Sequence, residues 1–325
     1  QPVIQPQTPT QPQPQFQYTP MGLPAGKGRA GEGLIKEGET LTVSRCIDIA
    51  LKKNPAVVAA VNTVEVNRSA VGVAQSAYWP QLSASGAYDR INPIGGTSAS
   101  ALGVPSPYNE YTAKAQLDQT IYDFGRTSSS VRGAKYTLQS SRSDLLNQED
   151  AIILSVKQAY YGVLQARRNR DVAADVIKQF QLHLDQAKGF YEVGTAAKID
   201  VIKAEVDLSN AKLSLINAEN ALKIAWVNLN IAMGVPDAPE YTIEDNLEFK
   251  KYAITLEEAT ERAFQNRPDL QSIMAKEQAA EANISFAKSN YYPVLTGSAT
   301  YNWLGIDVPP NQLENGWDVG VAVTF

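Results

Sequence analysis

The most regular pattern of hydrophobic positions in the chain lies between Lys198 and Ala232. Apolar residues recur there in steps of three and four, and large side chains alternate with alanine: Val201, Ala204, Leu208, Ala211, Leu215, Ala218, Leu222, Ala225, Leu229 and Ala232. A heptad repeat of this kind predicts a helix that packs closely against another helix.

A second, incomplete apolar row runs along the same predicted helix. Its members are Ile199, Ile202, Val206, Leu213, Ile216 and Val227. The two rows are centred about 150° apart on a heptad wheel, so the helix needs a neighbour on each side. Because polar residues fill both arcs between the rows, the pattern favours a curved layer of helices with water on both faces over a compact bundle.

A longer helical pattern precedes this one. Between Ala134 and Tyr191 the chain has no proline, and its only glycines are Gly162 and Gly189. About sixty helical residues would extend about 90 Å. A break at Gly194-Thr195 and a stop at Gly234-Val235-Pro236 predict a long antiparallel hairpin of helices.

After Pro80 the period changes to two. Apolar and small residues alternate with polar ones from Gln81 to Asp89 and again from Tyr111 to Ile121, which predicts two strands. Each has about nine to eleven residues, the length at which a tilted strand crosses a bilayer. No run of eighteen apolar residues occurs, so the sequence does not predict a membrane-spanning helix.

The chain contains an internal repeat. Residues 41–88 match residues 254–301 at a constant offset of 213, with Pro55 on Pro268 and Tyr78-Trp79-Pro80 on Tyr291-Tyr292-Pro293. Agreement in register over this length predicts duplication. Two alternating strands follow in the second copy, but no counterpart of the long hairpin does. We therefore expect the chain to be truncated within its second repeat.

The predicted organisation has four parts. Residues 1–39 form a Pro/Gln/Gly-rich arm, which is too poor in apolar residues to order itself. Residues 40–236 are the first repeat, with a helix, a β-hairpin and the long helical hairpin. Residues 237–253 are a linker, and residues 254–325 are the incomplete second repeat, with a helix and strands only.

Composition limits the chemistry of the chain. A formal net charge of -5 without a basic cluster argues against a nucleic-acid partner. The single cysteine, Cys46, excludes an internal disulfide, and the only histidine, His183, is expected to be structural or solvated. The sequence shows no phosphate-binding loop, no nucleophile beside a histidine and no metal-ligand spacing. It therefore predicts no enzyme, no catalytic residue, no cofactor and no metal site.

Several motifs, in this order, resemble the TolC-like outer membrane factor family. They are Asn54-Pro55, Tyr78-Trp79-Pro80, Ile121-Tyr122-Asp123-Phe124-Gly125, and Val193-Gly194-Thr195 followed by Asp200-Val201, together with the duplication. The resemblance covers residues 41–325. It implies an α+β membrane protein of the outer membrane, in which three identical subunits form a twelve-stranded β-barrel in the lipid. A long α-helical barrel of coiled-coil hairpins then continues into the periplasm.

The resemblance also implies which residues meet partners. Val193, Gly194, Thr195 and Ala196 match the tip at which the family contacts a periplasmic adaptor, a membrane fusion protein that connects it to an inner-membrane transporter. Alternatively, Gly194 merely supplies the turn between two helices.

Asp200 matches an acidic position in the family's periplasmic gate, and Asp207 lies one heptad further on. Asp200 is equally explained as an ordinary carboxylate at a helix start. The predicted strands also carry a set of membrane-strand aromatics: Tyr88, Tyr111, Tyr301, Trp303 and Trp317.

The predicted function is a passive exit duct of a tripartite efflux pump or a type I secretion system, which carries small molecules or polypeptides from the periplasm to the exterior. The alternative is a periplasmic or surface coiled-coil scaffold without a pore. A scaffold explains the heptads but not the alternating strands. The sequence leaves the cargo, the adaptor and the state of the periplasmic mouth open.

Overall fold

The computed structural model describes residues 35–92, 107–247, 251–307 and 313–325. Most of the predicted arm, the loop of the first hairpin, part of the predicted linker and the Pro309-Pro310 loop lie outside these ranges. The elements are β1 (Thr40–Leu41), α1 (Val43–Lys53), α2 (Pro55–Ser76), β2 (Gln81–Ile91), β3 (Tyr108–Tyr122), α3 (Arg126–Glu192), α4 (Lys198–Met233), β4 (Thr242–Ile243), α5 (Leu256–Asn266), α6 (Pro268–Ser289), β5 (Val294–Ile306) and β6 (Leu313–Thr324).

The predicted helical hairpin is confirmed, and it is longer than expected. Helix α3 has 67 residues and α4 has 36. At the standard rise, α3 extends about 100 Å. Its middle section is buried at Val156, Tyr160 and Val163, each with 0% exposure. The tip of the hairpin is therefore far from the strands.

The two apolar rows of α4 have different environments. In the row of Val201, the side chains of Leu208, Ala211 and Leu229 are buried. Every member of the row of Ile199 is between 44% and 57% exposed. The rows are not buried together in one core, so one side of α4 packs in this chain and the other side remains bare.

Asn54 joins three helix ends. Its Oδ1 accepts a hydrogen bond from the Ala56 N–H at 2.9 Å, which caps α2, while Pro55 occupies the first position of that helix. Its Nδ2 donates to the Ala232 carbonyl in the last turn of α4 at 3.0 Å. The predicted interruption at Asn54-Pro55 therefore also fastens α1 and α2 to the long hairpin.

The second half of the chain follows the geometry of the first. Helices α5 and α6 have 11 and 22 residues, as α1 and α2 do, and each begins 213 residues after its counterpart. In the sheets, Gln81 lies opposite Asp118, and Val294, its equivalent, lies opposite Thr324. Thr324 thus corresponds to Asp118.

The main hydrophobic core lies where the helices meet a small parallel sheet, and the sequence patterns do not predict it. Strand β1 pairs with β4, so that Leu41 lies opposite Ile243. The hydroxyl of Tyr160 lies 2.7 Å from the Glu244 carbonyl and 3.2 Å from the Leu41 carbonyl. Tyr160 of α3 is therefore within hydrogen-bonding distance of the backbone beside both strands.

This core corrects two predicted boundaries. The predicted linker 237–253 contributes β4, and its Tyr241 packs against the core. The described end of the predicted arm, residues 35–39, is packed too: Ile35 is 4% exposed, and the Gly38 N–H donates to the Glu240 carbonyl at 2.9 Å. A strand of two residues is too short to show an alternating pattern, so the sequence did not predict β1 or β4.

Two glycines end helices in the same way but in different surroundings. Gly194 and Gly234 both have a left-handed backbone, with φ of 78° and 73°. A Cβ on Gly194 would meet nothing within 4 Å, whereas one on Gly234 would lie 2.8 Å from Asn54 Cα. Gly234 therefore needs both the conformation and the space.

We predict that Gly234→Ala destabilises the fold more than Gly194→Ala. The left-handed conformation alone costs alanine about 1 kcal/mol, and the contact with the Asn54 backbone adds about 1–3 kcal/mol. Denaturant midpoints of the helical circular dichroism signal, measured in detergent, check the order. Equal losses in the two variants would contradict the close packing at Asn54.

Candidate functional site

The four long strands form one antiparallel sheet with the order β2-β3-β5-β6. Residues directly opposite one another project to the same face, so the register assigns every side chain to a face. One face is largely apolar and carries Leu82, Ala84, Gly86, Tyr88, Tyr111, Ala113, Ala115, Leu117, Leu295, Gly297, Ala299, Tyr301, Trp303, Leu313, Trp317, Val319, Val321 and Val323, together with the polar Arg90, Asn109, Gln119 and Asn315. The other is largely polar and carries Ser83, Ser85, Asp89, Glu110, Thr112, Lys114, Gln116, Asp118, Thr296, Ser298, Thr300, Asn302, Glu314 and Asp318, together with Ala87, Ile91, Tyr108, Leu304, Ile306 and Ala322.

The apolar face of the sheet is exposed. Leu82, Trp317 and Val319 are 76%, 73% and 71% exposed. Soluble monomeric proteins rarely expose a contiguous apolar surface of this extent, and such a surface is typical of contact with a membrane or another protein.

All five predicted membrane-strand aromatics lie on this apolar face. The rings of Tyr88 and Tyr111 are 5.2 Å apart, and those of Tyr301 and Trp303 are 4.5 Å apart. Two of the hydroxyls bond to neighbouring amides: Tyr88 donates to Asn109 at 3.0 Å, and Tyr301 donates to Asn315 at 3.1 Å. The five side chains are therefore concentrated in the half of the sheet that is distant from the helices.

A second group of aromatics lies at the helical end of the sheet, and the sequence patterns did not identify it as part of a site. Its members are Tyr78, Trp79, Tyr122, Phe124, Tyr291 and Tyr292, which are 45% to 80% exposed. The Tyr78-Trp79-Pro80 motif and its repeat were the signal for it. Between the two groups the apolar face is mainly aliphatic. An aliphatic band with aromatic residues at both ends is the pattern of strands that cross a membrane.

Both outer edges of this sheet lack a partner strand within the described residues. Strands β2 and β6 have 11 and 12 residues, and each pairs on one side only. An edge strand presents a row of unpaired N–H and C=O groups that template pairing with another strand. Because β2 and β6 run in opposite directions, β6 of one copy would pair antiparallel with β2 of another.

The turn from β3 into α3 is built by Asp123-Phe124-Gly125. Phe124 and Gly125 both have positive φ, 50° and 85°. The Asp123 carboxylate accepts hydrogen bonds from the N–H groups of Gly125 at 3.1 Å and Thr127 at 2.7 Å, which caps the helix. Partial burial raises the pKa of Asp123, but hydrogen bonds from Thr127, Gly125 and Arg126 outweigh it and leave the pKa below its ordinary 3.8.

The predicted tip residues form the turn between α3 and α4. The Gly194 N–H donates to Tyr191 O at 3.0 Å and the Thr195 N–H to Phe190 O at 2.9 Å, which is the hydrogen-bond pattern of a Schellman motif. The Thr195 hydroxyl also donates to Phe190 O at 3.0 Å. Val193 is 72% exposed. The turn is thus well satisfied and presents an apolar side chain to the outside.

Phe190 and Tyr191 extend this exposed apolar tip, and the sequence analysis did not select them. They are 58% and 47% exposed, and both precede the helix end by less than one turn. Their signal in the sequence was an aromatic pair next to the glycine turn. Together with Val193, they form an exposed apolar surface at the tip. A turn between two helices does not by itself need such a surface.

The two gate candidates lie on one exposed strip of α4. Asp200 Oδ2 accepts a hydrogen bond from the Ala197 N–H at 3.3 Å, as a carboxylate at a helix start does. Asp207 is exposed one heptad further along. Within the described ranges neither carboxylate forms an ion pair. The structure accounts for Asp200 locally, and no described residue is brought to either carboxylate as a gate partner.

Among the described residues, the cysteine, the histidine and the carboxylates do not cluster into a site that could hold a metal ion. Cys46 is buried, and burial raises the pKa of its thiol to about 11. His183 is exposed, and its ring centroid lies 6.4 Å from that of Phe180. Among the described residues, no three His, Cys, Asp or Glu side chains converge on a point that would hold a metal ion. No helix in these ranges is long and apolar enough to cross a membrane.

A sequence profile described as "outer membrane efflux protein" matches residues 46–235, which is more than half of the chain. The chain belongs to the outer membrane efflux protein family. The predicted resemblance to TolC-like proteins is thereby confirmed. The family and its relatives assign the chain to the outer membrane, with its helical part in the periplasm.

Curated relatives agree with this family. The probable efflux pump outer membrane protein TtgC of Pseudomonas putida is 23% identical over 255 residues, which cover 77% of this chain and 51% of that protein. The outer membrane protein TolC of Vibrio cholerae is 27% identical over 179 residues, which cover 54% of this chain and 40% of that protein. The chain spans about half the length of the curated relatives it matches.

Solved structures show the same fold. CusC matches with a TM-score of 0.73 at 14% identity, covering 90% of this chain and 68% of that one. The Campylobacter jejuni CmeC outer membrane channel matches with a TM-score of 0.73 at 18% identity, covering 87% of this chain and 61% of that one. The fold shared with these channels therefore extends over most of the chain.

We predict that Asp123→Ala lowers the free energy of unfolding by about 1 kcal/mol at pH 7, because the first turn of α3 loses its capping carboxylate. The folded-state pKa of Asp123 is lowered, so its contribution is present above pH 3.8 and is lost as pH falls through the lower folded value. Denaturant midpoints of both proteins at pH 7 and near pH 3 check this.

Asp150→Ala is the matched control, since Asp150 is exposed on the same helix. This variant should resemble the wild type at both pH values. If the difference between wild type and Asp123→Ala widened at low pH, the assignment of the cap would be wrong.

Proposed function

We propose that the chain is a subunit of a passive exit duct in the outer membrane, which serves a tripartite efflux pump or a type I secretion system. The observation that carries the proposal is the two-faced sheet. Its apolar face is exposed, its other face is largely polar, and among the described residues neither edge has a partner strand. Closing such a sheet into a barrel turns the apolar face to lipid, lines an interior with polar groups and removes the edges.

Three copies complete this barrel in the proposal. The sheet contributes four strands per copy, so three copies supply twelve. The interior would be acidic, because one lysine opposes five carboxylates on the polar face: Lys114 against Asp89, Glu110, Asp118, Glu314 and Asp318. A wide polar interior suits a conduit for small molecules or polypeptides.

The internal repeat supplies the register between copies. In the sheet, β3 pairs with β5 so that Asp118 lies opposite Ser298. Thr324 is the counterpart of Asp118, and Ser85 is the counterpart of Ser298 at the offset of 213. Thr324 of one copy would therefore lie opposite Ser85 of the next, and Val323 opposite Gly86. This register keeps the apolar faces of neighbouring copies continuous.

The helices would continue the barrel into the periplasm. The bare row of α4, which contains Ile199, Val206 and Leu213, needs a neighbouring helix, as a closed tube of helices provides. Within this assembly, 40–236 and 254–325 act as the two repeats, the segment 237–253 connects them, and 1–39 is the arm whose last residues are anchored on the core.

The exposed tip is proposed to meet a periplasmic adaptor through Val193, Gly194, Thr195 and Ala196, with Phe190 and Tyr191 enlarging the apolar contact. Asp200 and Asp207 would line the periplasmic mouth. The duct performs no bond chemistry and uses no cofactor, so energy comes from an inner-membrane transporter. Relatives described as efflux pump outer membrane proteins support this arrangement.

We predict that a Val323→Cys, Gly86→Cys double variant forms a disulfide-linked trimer in membranes under mild oxidation. Residues directly opposite in antiparallel strands have Cα atoms about 4.5–5.5 Å apart, within the range that a disulfide spans. A Cβ on Gly86 is tolerated, since its nearest contact is 3.6 Å away. Native Cys46 is buried and its thiol pKa is high, so it will not react. Non-reducing gel electrophoresis reports the product.

The control for this cross-link is Val323→Cys with Ser85→Cys, which places the second thiol on the polar face. It should cross-link poorly. Equal yields from the two pairs, or cross-linked dimers without trimers, would contradict the register.

We predict that the reconstituted protein conducts ions in planar bilayers and that Thr112→Cys makes the conductance sensitive to a charged thiol reagent. Thr112 lies on the polar face, so modification places a charge in the interior. The adjacent Ala113→Cys is the matched control, because its thiol would face lipid. A silent protein, or equal sensitivity at both positions, would favour the scaffold without a pore.

A further inference from the structure

A cavity of about 440 Å³ lies at the helical end of the sheet, between the end of α2 and the turn from β3 into α3. Its lining residues are Ala77, Tyr78, Gln119, Thr120, Ile121, Tyr122, Asp123 and Thr127. Ala77 and Tyr78 directly follow α2, and Thr127 belongs to the first turn of α3. The cavity is therefore located where the strands end and the helices begin.

The cavity borders the apolar face of the sheet. Its Gln119 lies opposite Gly297, which projects to that face. Its Tyr122 lies opposite Leu295, which projects to the same face. A Cβ on Gly297 would lie 3.3 Å from Ile121 Cδ1, so the Ile121 side chain is on this side as well. A molecule that covers the apolar face can therefore place one end in the cavity.

The charge of the cavity is negative. Among the described residues that line it, Asp123 alone has a charged side chain. The carboxylate accepts hydrogen bonds from the Gly125 and Thr127 N–H groups, but it forms no ion pair with a described residue. The guanidinium of Arg126 lies over the Phe286 ring instead, with its Cζ 5.5 Å from the ring centroid. Such a cavity favours a cationic ligand and disfavours an anionic one.

Aromatic residues add to this preference for a cation. Tyr78 and Tyr122 both line the cavity, and they are 50% and 57% exposed. The face of an aromatic ring attracts ammonium groups through its quadrupole. Tyrosines at the end of a membrane-crossing strand lie at the level of the lipid headgroups. A carboxylate, two tyrosines and an apolar border at that level match a headgroup that ends in an ammonium group.

We propose that this cavity binds the primary ammonium group of an ethanolamine phospholipid. Asp123 is the counter-ion, Tyr78 and Tyr122 contact the ammonium group with their rings, and the acyl chains lie along the apolar face beyond Ile121. The inference rests on the proposed contact of this face with lipid, but not on a pore or a trimer. Failure of that contact would abolish the binding of every phospholipid, whereas failure of this site would abolish only the preference for one headgroup.

The test measures phospholipid binding to the full chain in a nonionic detergent by native mass spectrometry. Phosphatidylethanolamine and phosphatidylglycerol with the same acyl chains are added in equal amounts, so that only the headgroups differ. The wild type should retain the ethanolamine lipid in preference. Asp123→Asn should lower this preference about tenfold, because it removes the charge while asparagine still caps α3. Tyr78→Leu should lower it about threefold, because it removes one ring contact.

Two matched controls accompany these variants. Asp150→Asn removes an exposed carboxylate from the same helix, and Tyr291→Leu removes the repeat counterpart of Tyr78, which is exposed and does not line the cavity. Both controls should keep the wild-type preference. Phosphoethanolamine, which has the headgroup without acyl chains, should not displace the lipid at the same concentration.

Four results would each overturn the proposal. They are equal retention of the two lipids by the wild type, an unchanged preference in Asp123→Asn, an equal fall in the control variants, and displacement of the lipid by phosphoethanolamine. The last result would assign the cavity to a soluble amine.

Discussion

The register of the four-stranded sheet is the constraint on which the rest of the structure depends. Because side chains alternate along a strand, a slip of one residue at any pairing would send an apolar set to the polar face. The three pairings keep most apolar side chains on one face, and the exceptions Ile91, Leu304 and Ile306 lie towards the end of the sheet that is distant from the helices. The register shift between Thr120 and Tyr122 falls where β3 leaves the sheet for the helix. An apolar face that no part of the described chain covers follows directly from this register. Such a face is typical of contact with a membrane or with another protein.

The sheet is tied to the helices by turns and by close helix packing. Asp123 caps α3 one residue after β3 ends, so the long helix leaves the sheet in a defined direction. Farther along, α3 packs against α6 through small residues. The hydroxyls of Ser140 and Ser272 are 3.0 Å apart, and a Cβ on Gly133 would lie 3.2 Å from Asn283 Oδ1. The first repeat is therefore joined to the second by contacts that leave little room for movement.

Periodic features were predictable from the sequence, and features without a period were not. The heptads of α4 and the alternation in β2, β3, β5 and β6 predicted helices and strands because each repeats a buried or exposed position many times. The β1–β4 pair has only two residues per strand, and its place is set by Tyr160, which is distant in the sequence. Alternation predicted the hairpin of β2 and β3 but did not predict that β3 pairs with β5, so the aromatics near Tyr122 and Tyr292 were recognised as one group only in the structure.

The candidate site was predictable to a similar degree. Gly194 marked the tip because a glycine between two helical patterns indicates a turn with left-handed backbone, and the observed φ of 78° is left-handed. No such conformational argument selects Phe190 and Tyr191 from the sequence, since aromatic residues in a helix more often belong to a core. Asp200 shows the limit of the approach, because its hydrogen bond to Ala197 explains the residue without any gate.

The central claim is that the apolar face of the sheet contacts lipid, and a spin-label scan along β6 tests it most directly. Single cysteines from Leu313 to Thr324, labelled in reconstituted membranes, would be measured for collisions with oxygen, which concentrates in lipid, and with a water-soluble nickel complex. The account predicts a period of two, with oxygen favoured at odd-numbered positions such as Trp317, Val319 and Val321 and the nickel complex favoured between them. Uniform access of the nickel complex along the strand, or the opposite phase, would contradict it.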